Sequence, residues 1–217
     1  MMKKTLYMVL AAFLAACHFE TQSALLLAEY TAPGSAWQKD LESKDATAME
    51  MLKTGLQEMS GVVPSEIVDD SLALFRLMPV FTLDSVKCRN YSSEEELLSL
   101  LIPDNDRVFA VYTAQDYSIF REFHTESIMT GHVKPNYLTT VWPHPEVTEH
   151  VRTAISTDLP MMALCVHPGL HVRSYMYCCL QDGHWIVWRG RRGQKKLADV
   201  LKGYVEGLPI IPGGMLQ

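Results

Sequence analysis

The first seventeen residues constrain this chain most, because their pattern is that of a segment that does not belong to the folded domain. Two lysines, Lys3 and Lys4, precede an uncharged apolar run of eleven residues from Leu6 to Ala16. Such a run is too short to cross a bilayer as a helix, which needs about 20 apolar residues. A short positive end followed by a short apolar run is typical of an export signal that is removed. The folded part is therefore expected to lie after residue 16.

The apolar run ends in Leu14-Ala15-Ala16-Cys17, which resembles the lipobox of bacterial lipoproteins. The resemblance covers only residues 1–17, and it implies that residues 1–16 are a signal peptide and that Cys17 carries the lipid. Two or more acyl chains anchor a protein stably at a membrane, whereas a single chain holds it only marginally. The expected location is the bacterial cell envelope, facing the periplasm. By the sorting habit of enteric members of this family, His18 in place of Asp favours the outer membrane over the inner.

The full chain has the composition of a globular protein, with 48% hydrophobic and 20% charged residues. A net charge of −6 does not suggest a nucleic-acid partner. Residues 17–36 are predicted to be a lipidated tether and residues 37–217 a single α+β domain, in which 37–78 is a candidate subdomain. An alternative for the apolar stretch 24–28 is that it docks on the domain.

The domain is predicted to open with a helical hairpin. Apolar residues recur at helical spacing from Trp37 to Met59, and a second helix is expected over about 66–78, ended by Pro79. The following segments indicate a mostly antiparallel sheet with two or three packed helices. The fold class is therefore α+β.

Several local signals support the elements of this sheet region. Ser92-Ser93-Glu94-Glu95-Glu96 is a helix-capping signature, and Pro145 is expected at the first position of another helix. Residues 103–106, Pro-Asp-Asn-Asp, are expected to turn the chain before a central strand, 107–113. Asp182-Gly183 predicts a tight hairpin. The apolar tail 208–214 contains two prolines and cannot be helical, which suggests that it is laid on another surface.

Four cysteines follow Cys17, and an oxidising compartment would allow them to pair as disulfides. Four cysteines allow three connectivities, among which sequence cannot choose. Adjacent residues of a strand point to opposite faces, so two neighbouring cysteines are poor partners for each other. The alternative is that they are buried free thiols. The four candidates are Cys88, Cys165, Cys178 and Cys179.

Histidines cluster in the C-terminal half, and imidazole is a common ligand of zinc and copper. His167 and His171 flank an expected turn, and Cys165 lies two residues earlier, so these three are candidate metal ligands. No set of residues has the compact spacing of a structural zinc site. The alternative is that the histidines lie separately on the surface, and the main expectation is a protein without a cofactor.

A strongly basic segment, residues 189–196, lies between a predicted strand and a predicted helix. It could bind an anion such as a lipid phosphate or an acidic partner, or it could simply be a solvated loop. Trp185 and Trp188 should point to opposite faces of the preceding strand, so one of them is expected to be exposed beside this segment. The charged residues of the segment are Arg189, Arg191, Arg192, Lys195 and Lys196.

Sequence motifs of catalysis are missing, since the chain has no GxSxG, SxxK or HExxH motif and no phosphate-binding or dinucleotide-binding glycine loop. This favours a non-enzymatic envelope lipoprotein that acts as an accessory, assembly or adaptor subunit of an envelope complex with a protein partner. One alternative is a periplasmic domain that binds a metal or small ligand through the histidines. Another is a hydrolase with an unrecognised site, with His144, His167 or His171 as its base.

Overall fold

Apolar residues on both faces of the strands require a sheet that is covered on both sides. The computed structural model describes residues 27, 29–32, 34–59, 61–83, 93–131, 138–166, 174–189 and 193–206, and the side chains of the last helix as far as residue 203. The main helices described are α1 (Ala36–Glu42), α2 (Asp45–Gln57), α3 (Ser65–Val68), α4 (Glu94–Ser99), α5 (Thr125–Thr130), α6 (Pro145–Ser156) and α7 (Leu197–Glu206). The strands described are β1 (Leu74–Leu83), β2 (Leu101–Ala114), β3 (Tyr117–His124), β4 (Thr139–Pro143), β5 (Met161–Cys165), β6 (Tyr175–Gln181), β7 (His184–Trp188) and β8 (Gln194–Lys196).

The eight strands form one sheet in the order β4-β3-β2-β1-β5-β6-β7-β8. Every neighbouring pair is antiparallel except β1 and β5, which are parallel. The parallel pair arises because α6 carries the chain from β4, at one edge, back to β5 beside β1. The predicted α+β class with a mostly antiparallel sheet is confirmed.

One face of the sheet is covered by helices in two groups. Helices α1, α2, α3 and α5 pack over the half formed by β1, β2 and β3, where Leu52 and Leu56 of α2 are fully buried. Helices α4 and α7 pack over the other half, where Leu97 and Leu201 lie against residues such as Leu164 and Trp185. Both groups are hydrophobic clusters of the kind that supply most of the favourable free energy of folding.

The opposite face has one described helix, α6, against it. Val147, Val151 and Ala154 of this helix are buried against β1, β2 and β3, as their spacing predicts. The remaining part of this face is covered by the sheet itself, because the sheet curls. Hereafter the face that carries α6 is called the concave face.

The predicted second helix of the opening hairpin is wrong. The chain forms a single helical turn, α3, and then the strand β1, which includes Pro79. The residues around Leu77 and Met78 are apolar without a gap, so their spacing does not distinguish a buried helix from a strand buried on both faces. Pro79 is tolerated because the pairing of β1 with β2 shifts register between Pro79 and Val80.

The expected turn at residues 103–106 is also wrong, since β2 runs through it. Pro79 pairs with Val108 and Val80 pairs with Asp104, so three residues of β2 bulge out between these pairs. The polar residues that suggested a turn lie in or beside this bulge. A bulge bends the strand that contains it and increases the local twist, which favours a curled sheet.

Three local predictions are confirmed in detail. Ser93 caps α4, because its hydroxyl oxygen accepts a hydrogen bond from the backbone N–H of Glu96 at 3.1 Å. Pro145 is the first residue of α6. Asp182 and Gly183 have φ angles of 51° and 76°, as a tight hairpin between β6 and β7 requires.

The part of the predicted tether that is described packs on the domain. Leu27 is buried in the cluster beneath α4 and α7, and the ring of Tyr30 lies 5.9 Å from that of Phe81. The Tyr30 hydroxyl donates a hydrogen bond to Oδ1 of Asn105 at 2.8 Å. The docking alternative for residues 24–28 is therefore correct for Leu27, because its apolar side chain finds a buried position, and the other four residues lie outside the described ones. None of the helices in the described ranges has the length and apolar character needed to cross a membrane.

Two glycines in helices provide a matched test of packing. A methyl group on Gly55 of α2 would overlap the guanidinium group of Arg121, which is 8% exposed and donates to the hydroxyl of Thr139. Gly55→Ala should therefore lower the free energy of unfolding by about 1 kcal/mol or more, although alanine is the better helix former.

Gly203→Ala in α7 is the control, because a methyl group there meets no atom within 4 Å. It should raise stability by up to about 1 kcal/mol. Denaturant unfolding of both variants measures the difference, and equal effects would contradict the packing at Gly55.

Candidate functional site

An aromatic cluster joins distant strands across the concave face. The rings of Phe120 on β3 and Tyr177 on β6 stack with centroids 4.1 Å apart and planes 11° apart. Trp142 of β4 meets both rings edge-on, and Trp188 of β7 lies 6.0 Å from Phe120. In the sheet, β2, β1 and β5 separate β3 from β6. These contacts therefore require the sheet to curl until β3 and β6 approach each other across the concave face.

A hydrogen bond reinforces the same contact. The hydroxyls of Thr140 on β4 and Tyr177 on β6 lie 3.0 Å apart. Burial raises the pKa of Tyr177 far above its ordinary value, so its phenol stays protonated and polar at neutral pH. A buried phenol needs a partner, and Thr140 supplies it.

Next to this cluster lies a cavity of about 630 Å³, which we call the aromatic cavity. Three of its lining residues are aromatic, three are aliphatic or contain sulfur, three are charged, and a glycine completes the wall. They are Trp142, Tyr175, Trp188, Met176, Val187, Val200, Arg189, Lys195, Asp199 and Gly203.

Neighbouring elements position the cavity walls. Tyr175 begins β6, Arg189 directly follows β7, and these antiparallel strands bring the two residues to the same end of the sheet. Lys195 pairs with Val187 at the sheet edge. Helix α7 starts two residues after Lys195, so Asp199 and Gly203, four residues apart, lie on one side of it.

The chemistry of the cavity combines apolar walls with a charged rim. Arg189 and Lys195 provide two positive charges, and Asp199 provides one negative charge. The site can therefore enclose apolar groups and attract negative charge at its rim.

The basic segment is thus divided by the structure. Arg189 and Lys195 border the aromatic cavity, whereas Lys196 is exposed and does not line it. Arg191 and Arg192 lie outside the described residues. Binding of an anion by this segment stays a prediction.

The expectation that a tryptophan is exposed beside the basic segment is wrong. Trp185 and Trp188 do point to opposite faces, since they belong to different hydrophobic clusters. Each is only 3% exposed. Helix α7 covers the first, and the curled sheet covers the second.

The described cysteines are held apart by the sheet. Cys178 and Cys179 point to opposite faces of β6, and no disulfide joins either of them to Cys165. Cys165 pairs with Tyr175, three positions from Cys178, which corresponds to about 10 Å along the strand and exceeds disulfide reach. Burial raises the pKa of Cys179 to about 12 and that of Cys178 well above its ordinary value, so neither thiol is reactive. Cys17 and Cys88 lie outside the described residues.

The candidate metal ligands are tested only in part, because His167 and His171 lie outside the described residues. In the part that the structure describes, no three His, Cys, Asp or Glu side chains are grouped to hold a metal ion. His184 contacts Glu94 at 3.2 Å and lies at the far end of β6 from Cys165, about 20 Å away. A zinc or copper site at Cys165, His167 and His171 therefore stays a prediction, without His184.

Of the three histidines considered for catalysis, His144 is described, whereas His167 and His171 lie outside the described residues. His144 directly precedes α6, where its side chain makes no capping hydrogen bond. It does not line the aromatic cavity. The hydrolase hypothesis gains no support from this residue and stays a prediction for the other two.

No protein-family model, no curated protein and no solved structure matches this chain. The chemistry of the site is therefore the basis for a function. The basic segment predicts one side of that site from sequence. Trp142 and Tyr175 carry no such signal, because only the curl of the sheet brings β4 to β6, and no local pattern encodes that approach.

The bond between Thr140 and Tyr177 can be measured by a double-mutant cycle. Tyr177→Phe should lower the free energy of unfolding by about 1 kcal/mol, because it removes the hydroxyl and keeps the stacked ring. Thr140→Val is the second single variant. The double variant should cost less than the sum of the two single changes. Full additivity would contradict the contact between β4 and β6.

Proposed function

We propose that this protein is a membrane-anchored envelope lipoprotein that acts as a non-enzymatic accessory, assembly or adaptor subunit. In this proposal an acidic protein partner binds at the rim of the aromatic cavity. The observation that carries it is the position of Arg189 and Lys195 beside Trp142 and Trp188. Arginine and large aromatic residues are the types most enriched where protein interfaces bind strongly.

Charge supports an acidic partner over a neutral one. Two cations and one carboxylate border the cavity, and Lys196 adds a further exposed cation on β8. Such a rim would steer a negatively charged surface towards the apolar walls and would set the association rate. Apolar contacts at the mouth of the cavity would then supply the affinity.

The N-terminal segment supports placement of this surface near the membrane. Leu27 lies in the same hydrophobic cluster as Leu197 and Leu201, which belong to the helix that lines the cavity. Leu27 is ten positions after Cys17, and ten extended residues span at most about 35 Å. A lipid on Cys17 would therefore hold the α7 side of the domain close to the bilayer surface.

A second candidate function is the binding of a small ligand. The observation that favours it is the cavity volume of about 630 Å³, which lies within the range of about 300–1,000 Å³ typical of small-molecule sites. An apolar ligand with one anionic group would suit the walls and the rim. A protein that captures no partner but binds such a ligand would favour this function over the adaptor.

The adaptor proposal is tested by reversing charge at the rim in the full-length, lipid-modified protein. Arg189→Glu combined with Lys195→Glu should weaken capture of the envelope partner by about tenfold or more, since attraction becomes repulsion. Lys39→Glu with Lys53→Glu, on α1 and α2, is the matched control and should leave capture unchanged. Quantitative pull-down after in vivo cross-linking gives the ratio.

Cys17→Ser is the companion variant for the anchor. It should abolish fatty-acid labelling and release the protein from the envelope fraction. Unchanged labelling and sedimentation would contradict the anchor alone. Capture that survives charge reversal at the rim, or a monomer that captures nothing reproducibly, would contradict the adaptor.

A further inference from the structure

We infer that the aromatic cavity is the docking site for the proline-containing tail of the same chain, residues 207–214. This inference does not depend on the proposed function. It assigns the apolar interior of the cavity to an extended apolar peptide and leaves the charged rim, Arg189 and Lys195, for the proposed partner.

The tail has the sequence of a polyproline-type ligand. It reads Leu-Pro-Ile-Ile-Pro over residues 208–212, with Pro209 and Pro212 three residues apart. A polyproline II helix has three residues per turn, so both prolines lie on one side of it. Its backbone has no internal hydrogen bonds, and its carbonyl groups therefore remain free to accept one.

The cavity has the matching chemistry. Grooves lined by aromatic side chains are the usual binding sites of proline-rich extended segments. Trp142, Tyr175 and Trp188 line this one, and Met176 and Val200 provide further apolar wall.

The geometry of the chain makes the docking local. Gly203 of α7 forms part of the cavity wall, and the tail begins four positions later, directly after Glu206. A methyl group built on Gly203 meets no atom within 4 Å, so there is open space on this side of the helix. Six residues in polyproline II conformation span about 19 Å, which is sufficient to turn back along a cavity of this size.

Covalent attachment of the tail to α7 favours its docking in the cavity. A short connection gives a tethered segment an effective concentration in the millimolar range. Even a weak proline-rich ligand would then occupy the cavity for much of the time. Docking would also bury the apolar side chains of residues 208–212. Because the tail belongs to the same chain, no second molecule loses translational and rotational freedom.

The test places a photo-reactive benzophenone amino acid at position 211 of the full-length protein. Irradiation should give intramolecular cross-links to peptides containing residues 175–189 or 197–203, with a yield independent of protein concentration. The same label at Leu72, which is 82% exposed and does not line the cavity, is the control and should give none of these products.

Two variants keep the test decisive without altering the tryptophans that line the cavity. Pro209→Ala with Pro212→Ala should cause loss of the cross-link, because it removes the extended preference of the tail. Gly203→Leu should cause the same loss by filling the cavity from a position with room for a side chain. Circular dichroism and thermal unfolding confirm that both variants remain folded.

Three results would overturn the inference. Cross-links that map away from the cavity would place the tail elsewhere. A yield that rises with protein concentration would show that the tail of a second copy is bound. A cross-link to the cavity that persists unchanged in Gly203→Leu would show that the tail does not enter it.

Discussion

The stacking of Phe120 on Tyr177 is the contact on which the rest of the structure depends. It joins β3 to β6 across three intervening strands and holds the sheet in its curled form. Because the sheet curls, the concave face needs only α6 to cover it within the described residues, and Trp188 becomes buried beside Trp142. The aromatic cavity exists because the curl brings β4, at one edge of the sheet, towards β7, so that Trp142 and Trp188 line the same space.

The origin of the curl lies in the pairing of the two central strands. Three extra residues of β2 bulge out where Pro79 interrupts the regular ladder of β1. A bulge of this kind increases twist and bends the strand, and a proline is acceptable only where a ladder hydrogen bond is already missing. The irregularity and the proline therefore support each other, and the aromatic cluster stabilises the bent shape that results.

Local structure was predictable from sequence where a single residue type decides it. Ser93, Pro145 and the Asp182-Gly183 turn are of this kind, since capping, fixed φ and positive φ are local properties. The helix predicted around Leu77 and Met78 is wrong because an unbroken apolar run has no spacing that distinguishes a buried helix from a buried strand. The turn predicted at residues 103–106 does not form, because pairing with neighbouring strands overrides the local preference of these polar residues for turns.

The charged rim of the candidate site is predictable from local sequence, whereas its aromatic walls are not. Arg189 and Lys195 stand in a conspicuous basic segment, so sequence alone indicates a surface of interest there. Trp142 is 33 residues from Tyr175 in the chain, and its place in the cavity follows only from long-range packing. The chemistry of the site therefore depends on how the curled sheet places its walls and its charged rim, and not on a sequence motif.

The curl is tested most directly by nuclear Overhauser effects between side-chain protons of isotopically labelled protein. Centroids 4.1 Å apart predict strong cross-peaks between the rings of Phe120 and Tyr177, together with weaker ones from Trp142 to both. Ordinary cross-strand peaks within β2–β3 and β5–β6 serve as the internal standard. If those peaks are present and the peaks between Phe120 and Tyr177 are missing, the sheet is open and the account of the cavity fails.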